Sequence, residues 1–177
     1  MDYLKYYSLE NYLFSDVNTA FHVRRYLTAE EFFSIVIWKA NRAKGRIWNR
    51  LRKHGTDVSE VVKTLSQEIK DAADDHERLS LLLDREKWGF ALPMASAILT
   101  VCYPERFTVY DVRARMELGI KDFAGRKDQI ERYFKEFVPS VKAIPHAASL
   151  RDKDRYLWGK SSYTDLQEFI QKGPTKK

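Results

Sequence analysis

Apolar side chains recur at three- and four-residue intervals along most of the chain, the spacing of helices that bury one face. The clearest run opens with a capping box, Thr28 and Glu31. It continues through Phe32, Phe33, Ile35, Val36, Ile37, Ala40, Ile47 and Leu51 until His54-Gly55 ends it. This spacing predicts one long helix. Upstream, Leu4, Tyr7, Leu9, Tyr12 and Leu13 predict a short helix over residues 2–14, and Asp16 caps another through Val17, Phe21, Val23 and Leu27. Downstream, Thr56 or Asp57 starts a helix carried by Val58, Val61, Val62, Leu65 and Ile69.

A polar stretch, KDAADDHER, then leads into Leu79, Leu81, Leu82 and Leu83. The turn DREKWGFAL follows, then an apolar helix from Pro93 to about Tyr103. TVYDVRARMEL reads as a brief extended entry into a helix. Gly119 and Gly125 bracket a polar linker, and residues 127–138 place Ile130, Tyr133, Phe134 and Phe137 on one face. SLRDKDRYLWGK and a helix around Leu166 to Ile170 close the pattern. The expectation is an all-α fold: one compact helical domain over residues 1–172 and a frayed tail, 173–177.

Composition supports this reading. In 177 residues there are 7 glycines and 5 prolines, too few breakers for a strand-and-turn fold. Apolar residues make up 44%, enough for a core without staples. The lone Cys102 excludes an internal disulfide and sits in an apolar run, as a small core residue does. No window approaches the roughly 20 apolar residues of a membrane span, and MDYLKYY does not open like a signal peptide. A soluble, cytoplasmic protein is expected. The four histidines and the cysteine show no zinc spacing, so neither metal nor cofactor is expected. No phosphate-loop or serine-elbow motif is present.

The formal net charge is +6, compatible with a polyanion partner. Its distribution says more. Residues 32–56 contain no Asp or Glu but carry Lys39, Arg42, Lys44, Arg46, Arg50, Arg52 and Lys53, with Trp38, Asn41, Trp48 and Asn49 interleaved. On one continuous helix Lys39, Arg42, Arg46, Arg50 and Lys53 would share a side, a stripe suited to a phosphate backbone. The alternative is a solvated face pairing with acids such as Asp71, Asp74 and Asp75.

Residues 79–118, LSLLLDREKWGFALPMASAILTVCYPERFTVYDVRARMEL, carry the most specific pattern. A helix ends near Asp84, a turn contains Gly89, and a small-residue helix begins at Pro93. Amides of a glycine turn at a helix start suit a phosphate. An acid, Asp111, follows between Tyr110 and Val112. The arrangement resembles the helix-hairpin-helix DNA glycosylase superfamily of base-excision repair, with the hairpin at about 77–103. The resemblance implies that Gly89, Phe90 and Ala91 meet the nucleic-acid backbone, to which the spacing of the basic stripe adds Lys39, Arg42, Arg46 and Arg50. It further implies that Asp111 is the catalytic carboxylate and that double-stranded DNA is the partner, with no obligate protein partner.

Candidate walls for a flipped base are Trp38, Trp88, Tyr110 and Trp158, aromatics that would otherwise be core. Asn41 and Arg42 could probe the duplex beside it. DRYLW, residues 154–158, reads as a docking segment, with Arg151 and Arg155 adding basic surface.

Three features depart from the family pattern. Ala91 replaces the second hairpin glycine, Pro93 stands where lyase members carry a nucleophilic lysine, and Val112-Arg113 replace the usual Thr-His. Pro93 argues against Schiff-base chemistry and for hydrolysis by water. Asp111 also has the local sequence of a helix N-cap. Two readings therefore stand beside a monofunctional glycosylase. One is a binding module that keeps the hairpin without the chemistry; the other is a helical protein-interaction domain.

Overall fold

In the computed structural model, which describes residues 3–145 and 148–173, every regular element is helical. Among the described residues these are α1 (Leu4–Tyr7), α2 (Leu9–Tyr12), a π turn (Leu13–Val17), α3 (Asn18–Arg24), α4 (Ala29–Ala40), a 3-10 turn (Asn41–Ala43), α5 (Lys44–Leu51), α6 (Val58–Asp71), α7 (Asp75–Leu83), α8 (Leu92–Cys102), α9 (Val112–Glu117), α10 (Gln129–Arg132), a second π turn (Tyr133–Phe137), α11 (Val138–Lys142) and α12 (Leu150–Lys172). No described helix is long and apolar enough to cross a membrane. Of the expected frayed tail only Gly173 is described; the rest lies outside the described residues.

The caps fall where side chains can satisfy the first amides. Thr28 and Glu31 form both halves of the capping box on α4. Asp57, rather than Thr56, caps α6, Asp74 caps α7, and Ser149 caps α12. Asp16 does not cap: it sits inside the π turn, where its carboxylate accepts from Ser15, and the chain runs from α2 into α3 without a break.

α8 lies at the centre. Every residue from Met94 to Cys102 is buried, and α3, α4 and α7 pack on it. Ala95, Ser96 and Ala97 let those neighbours approach closely. Cys102 is fully buried, and burial pushes its thiol up.

Two helical expectations change. The long helix over residues 28–54 is broken: α4 ends at Ala40, whose backbone leaves the helical region (φ −162°, ψ 78°), and α5 starts anew at Lys44. No side chain between Ile37 and Arg46 is buried, so no packing enforces a straight continuation. At the other end α12 is one 23-residue helix, because Leu150 and Leu157 anchor its first turns and α9 packs along it.

Candidate active site

The segment entering α9 is extended and buried, yet belongs to no sheet. Its backbone groups are satisfied by side chains instead. The Tyr133 hydroxyl accepts from the Thr108 amide (3.0 Å) and donates to the Thr108 carbonyl (2.6 Å). Ser96 Oγ, on α8, accepts from the Tyr110 amide (2.9 Å). These bonds fix the chain just ahead of Asp111.

Asp111 then does two things at once. Its Oδ1 accepts from the Arg113 amide (2.9 Å) and caps α9. Its Oδ2 pairs with Lys39 Nζ, from the last turn of α4. Burial alone would raise the Asp111 carboxyl. The Lys39 ammonium and the Arg113 amide outweigh it and hold the group below the usual carboxylate range.

Both side chains line a cleft of about 440 Å³ with Glu10, Trp38, Val109, Arg151, Asp154, Arg155 and Trp158. Trp38 meets Phe14 edge-on (5.6 Å between ring centres), and the Arg151 guanidinium lies over both rings, 4.6 Å from Phe14 and 5.2 Å from Trp38. Trp158, half exposed, is covered on one side by Arg113 (5.5 Å). Arg151 also pairs with Glu10 (2.7 Å) and with Asp154 (2.5 Å). Asp154 is only 3% exposed. Burial pushes its carboxyl up to about 6, against the opposing pull of Arg151, the Val109 amide and Lys39. The cleft thus holds one carboxylate drawn down and another drawn up.

A second groove, of about 890 Å³, is lined mainly by Arg46, Asn49, Arg50, Lys53, Arg85, Lys87 and the turn from Trp88 to Leu92, with Glu86 among the cations. Gly89 holds a left-handed backbone (φ +56°) that disfavours any side chain. Its amide donates to the Asp84 carbonyl (2.7 Å), and the Phe90 amide donates to the Leu82 carbonyl (2.8 Å). Both amides are therefore used within the turn rather than presented outward. Arg50 closes the turn from outside by donating to the carbonyls of Trp88 (3.2 Å) and Gly89.

The residues singled out from sequence therefore divide. Trp38, Lys39, Asp111 and Trp158 meet in the first cleft. Arg46, Arg50, Trp88, Gly89, Phe90 and Ala91 line the second groove. Trp88 is buried, meets the His54 ring at a tilt (4.5 Å between ring centres) and donates to Glu68 (2.8 Å). Tyr110 is buried against Phe123 and Phe137 and does not line the first cleft, its hydroxyl donating to Asp122 (2.9 Å). Asn41 and Arg42 are exposed on the 3-10 turn between α4 and α5. The break there removes the single basic stripe: Lys39 turns to Asp111, while Arg50 turns to the Gly89 carbonyl.

Sequence reasoning missed Glu10 and Asp154 and read Arg151 and Arg155 only as surface charge. A signal was present: Arg151, Asp154 and Trp158 follow i, i+3, i+7 spacing, one face of a helix. No family model, curated protein or solved structure gives a significant match to the chain.

Proposed function

We propose that the protein is a monofunctional DNA N-glycosylase of the helix-hairpin-helix type, hydrolysing the bond between a damaged or modified base and its sugar. The observation that carries this reading is the placement of Asp111 in a cleft with indole walls, ionised and paired to Lys39. Breaking an N-glycosidic bond builds positive charge at the sugar C1′. A carboxylate already ionised at neutral pH stabilises that charge without a proton transfer. Its low basicity makes it an electrostatic stabiliser first and a base for water second. A cleft of about 440 Å³ lies within the range of roughly 300–1,000 Å³ typical of ligand pockets. Trp38 and Trp158 offer the ring faces on which a flipped base stacks. The basic groove around the Gly89 turn supplies cations for the duplex backbone.

The test is incubation of the purified protein with duplexes carrying a panel of damaged and modified bases, followed by hot-alkali cleavage at abasic sites. Release from at least one duplex is expected. Asp111→Asn is expected to lower the single-turnover rate by roughly a hundredfold or more while duplex affinity stays within threefold. Salt-sensitive duplex binding with no release by wild type would instead support the binding-module reading. Absence of both would support a helical interaction domain.

A further inference from the structure

α12 carries apolar residues on two opposite faces. Leu150, Asp154, Leu157, Ser161 and Asp165 turn toward the body, where Arg113 of α9 donates to Ser161 (3.3 Å) and pairs with Asp165. Gly159, Tyr163, Leu166 and Ile170, at i, i+4, i+7 and i+11, lie on the other side of the helix. Tyr163, Leu166, Ile170 and the neighbouring Phe169 are each more than half exposed. Beyond Leu157 no described residue of α12 is buried. A helix that is apolar all round is ordinarily covered all round, so this stripe is a surface that wants a partner.

The spacing says what kind of partner. Steps of four, three and four are those of the seam between two paired helices. Gly159 sharpens the reading. Glycine weakens a helix interior, and nothing in this chain demands it here: beyond its own helix, a Cβ would meet no described atom within 4 Å. What it leaves is a notch on the stripe. The same sequence supplies the filler. In an antiparallel pair with its two-fold axis between Thr164 and Asp165, Ile170 of each copy lies opposite Gly159 of the other, and Tyr163 lies opposite Leu166. The charges of this stretch, Lys160, Asp165, Glu168 and Lys172, balance, and Lys160 is already paired with Glu117 (2.9 Å). A helix that lies on anionic lipid or follows a phosphate backbone carries a cationic face instead.

We infer that the protein self-associates through this stripe as an antiparallel two-fold dimer. The four exposed side chains present roughly 450 Å² of apolar surface per copy. With the stems of Lys160 and Gln167 alongside, a symmetric pair covers about 1,200 Å² in total, the lower edge of specific interfaces. A contact of that size gives a reversible dimer, not an obligate one. Neither Asp111 nor Lys39 takes part, so the inference stands apart from the glycosylase reading.

Sedimentation equilibrium of the purified chain, from low to high micromolar concentration, is the test. A reversible monomer–dimer equilibrium with a micromolar dissociation constant is expected. Tyr163→Glu combined with Ile170→Glu is expected to weaken it at least tenfold, with the urea midpoint of the monomer unchanged. Should that variant lose helix content, Gly159→Leu decides. Leucine is the better helix former but fills the notch, so dimerisation is expected to weaken at least tenfold while the Tm of the monomer does not fall. Mild oxidation of an equimolar mixture of Gly159→Cys and Ile170→Cys chains is expected to link one kind to the other, and neither to itself.

A wild type that stays monomeric throughout overturns the inference, as does a dimer indifferent to Tyr163→Glu with Ile170→Glu. Tighter association in Gly159→Leu, or like-with-like disulfides, refutes the antiparallel register. Monomeric wild type that sediments with vesicles of phosphatidylglycerol and phosphatidylcholine gives the stripe to a lipid surface and overturns the dimer. None of these readouts uses DNA, so failure to release a base from any duplex leaves them to decide the dimer on their own.

Discussion

The Lys39–Asp111 pair can be weighed by a double-mutant cycle that needs no assumption about substrate. The two side chains are 13% and 19% exposed, between a surface pair and a buried one. Exposed pairs contribute about 0.2–1 kcal/mol, whereas stranding one partner of a fully buried pair costs about 3–5 kcal/mol. A coupling of about 2 kcal/mol follows for this intermediate burial. Asp111→Asn isolates the pair, because asparagine caps a helix as well as aspartate and the bond from the Arg113 amide survives. Lys39→Met keeps the aliphatic stem and removes the charge.

Each single change is expected to cost about 2 kcal/mol, roughly 4–8 °C in Tm for a chain of this size. The double variant is expected to cost little more than either single one. Urea denaturation of the four proteins at pH 7 gives the coupling directly. The pH dependence has a fixed sign. The native Asp111 carboxyl is held below its ordinary value, so the pair contributes fully above the unfolded-state pKa, and its contribution is lost as pH falls through the native one. The coupling should therefore shrink in acid. Additivity within about 0.5 kcal/mol at pH 7 would refute the pair and, with it, the electrostatic account of Asp111.

Other outcomes are sharply defined. Gly89→Ala is expected to destabilise by about 1–3 kcal/mol, because a Cβ there takes up a left-handed backbone and would lie 2.5 Å from Arg50 Nη1. Pairing it with Arg50→Ala should return only the steric part, and urea midpoints measure both. If the second groove carries duplex DNA, Arg46→Ala with Lys53→Ala lowers the slope of log affinity against log salt by roughly 2, and an unchanged slope removes that role. Borohydride is expected to trap no covalent complex with an abasic duplex, since Pro93 offers no amine and the Lys39 ammonium is engaged by Asp111. A trapped adduct that disappears in Lys39→Met would restore lyase chemistry.

How much could be read from sequence depended on which force set each feature. Helices with strong caps and an unbroken apolar face were legible, because Thr28–Glu31 and the Val58–Ile69 run are local signals. The break after Ala40 was not. The charged residues beyond it fit a helical wheel, and only the absence of anything for them to pack against ends the helix. Trp88 and Tyr110 showed the same limit: an aromatic beside a turn or an acid looks the same in sequence whether it faces a cleft or the core. Their hydrogen bonds to Glu68 and Asp122 are long-range choices that no local pattern encodes. Asp154 was hidden for a related reason. Its neighbours in sequence are charged and suggest a solvated face, while the structure buries it in a cleft whose other walls come from distant parts of the chain.

Asp111 and Asp154, two of the three carboxylates of the cleft, act on stability in opposite directions, and this distinguishes a site from ordinary packing. Asp111, drawn down by Lys39, adds stability at neutral pH that is lost in acid. Asp154, drawn up to about 6 by burial, binds its proton more tightly when folded than unfolded. Its ionisation therefore lowers stability as pH rises from the ordinary aspartate value to about 6, by up to about 3 kcal/mol. An apolar side chain of similar size would avoid that cost, since buried ion pairs are commonly replaced by well-packed hydrophobic groups at no loss. The chain instead places an acid at 3% exposure beside two arginines, a lysine and two further acids, around a cavity open enough to admit a ligand. The basic groove at the Gly89 turn has no such burden: its cations are exposed, and the Gly89 and Phe90 amides are already bonded. On this physical ground the Asp111 cleft is proposed as the reacting centre and the groove as a surface that holds the duplex.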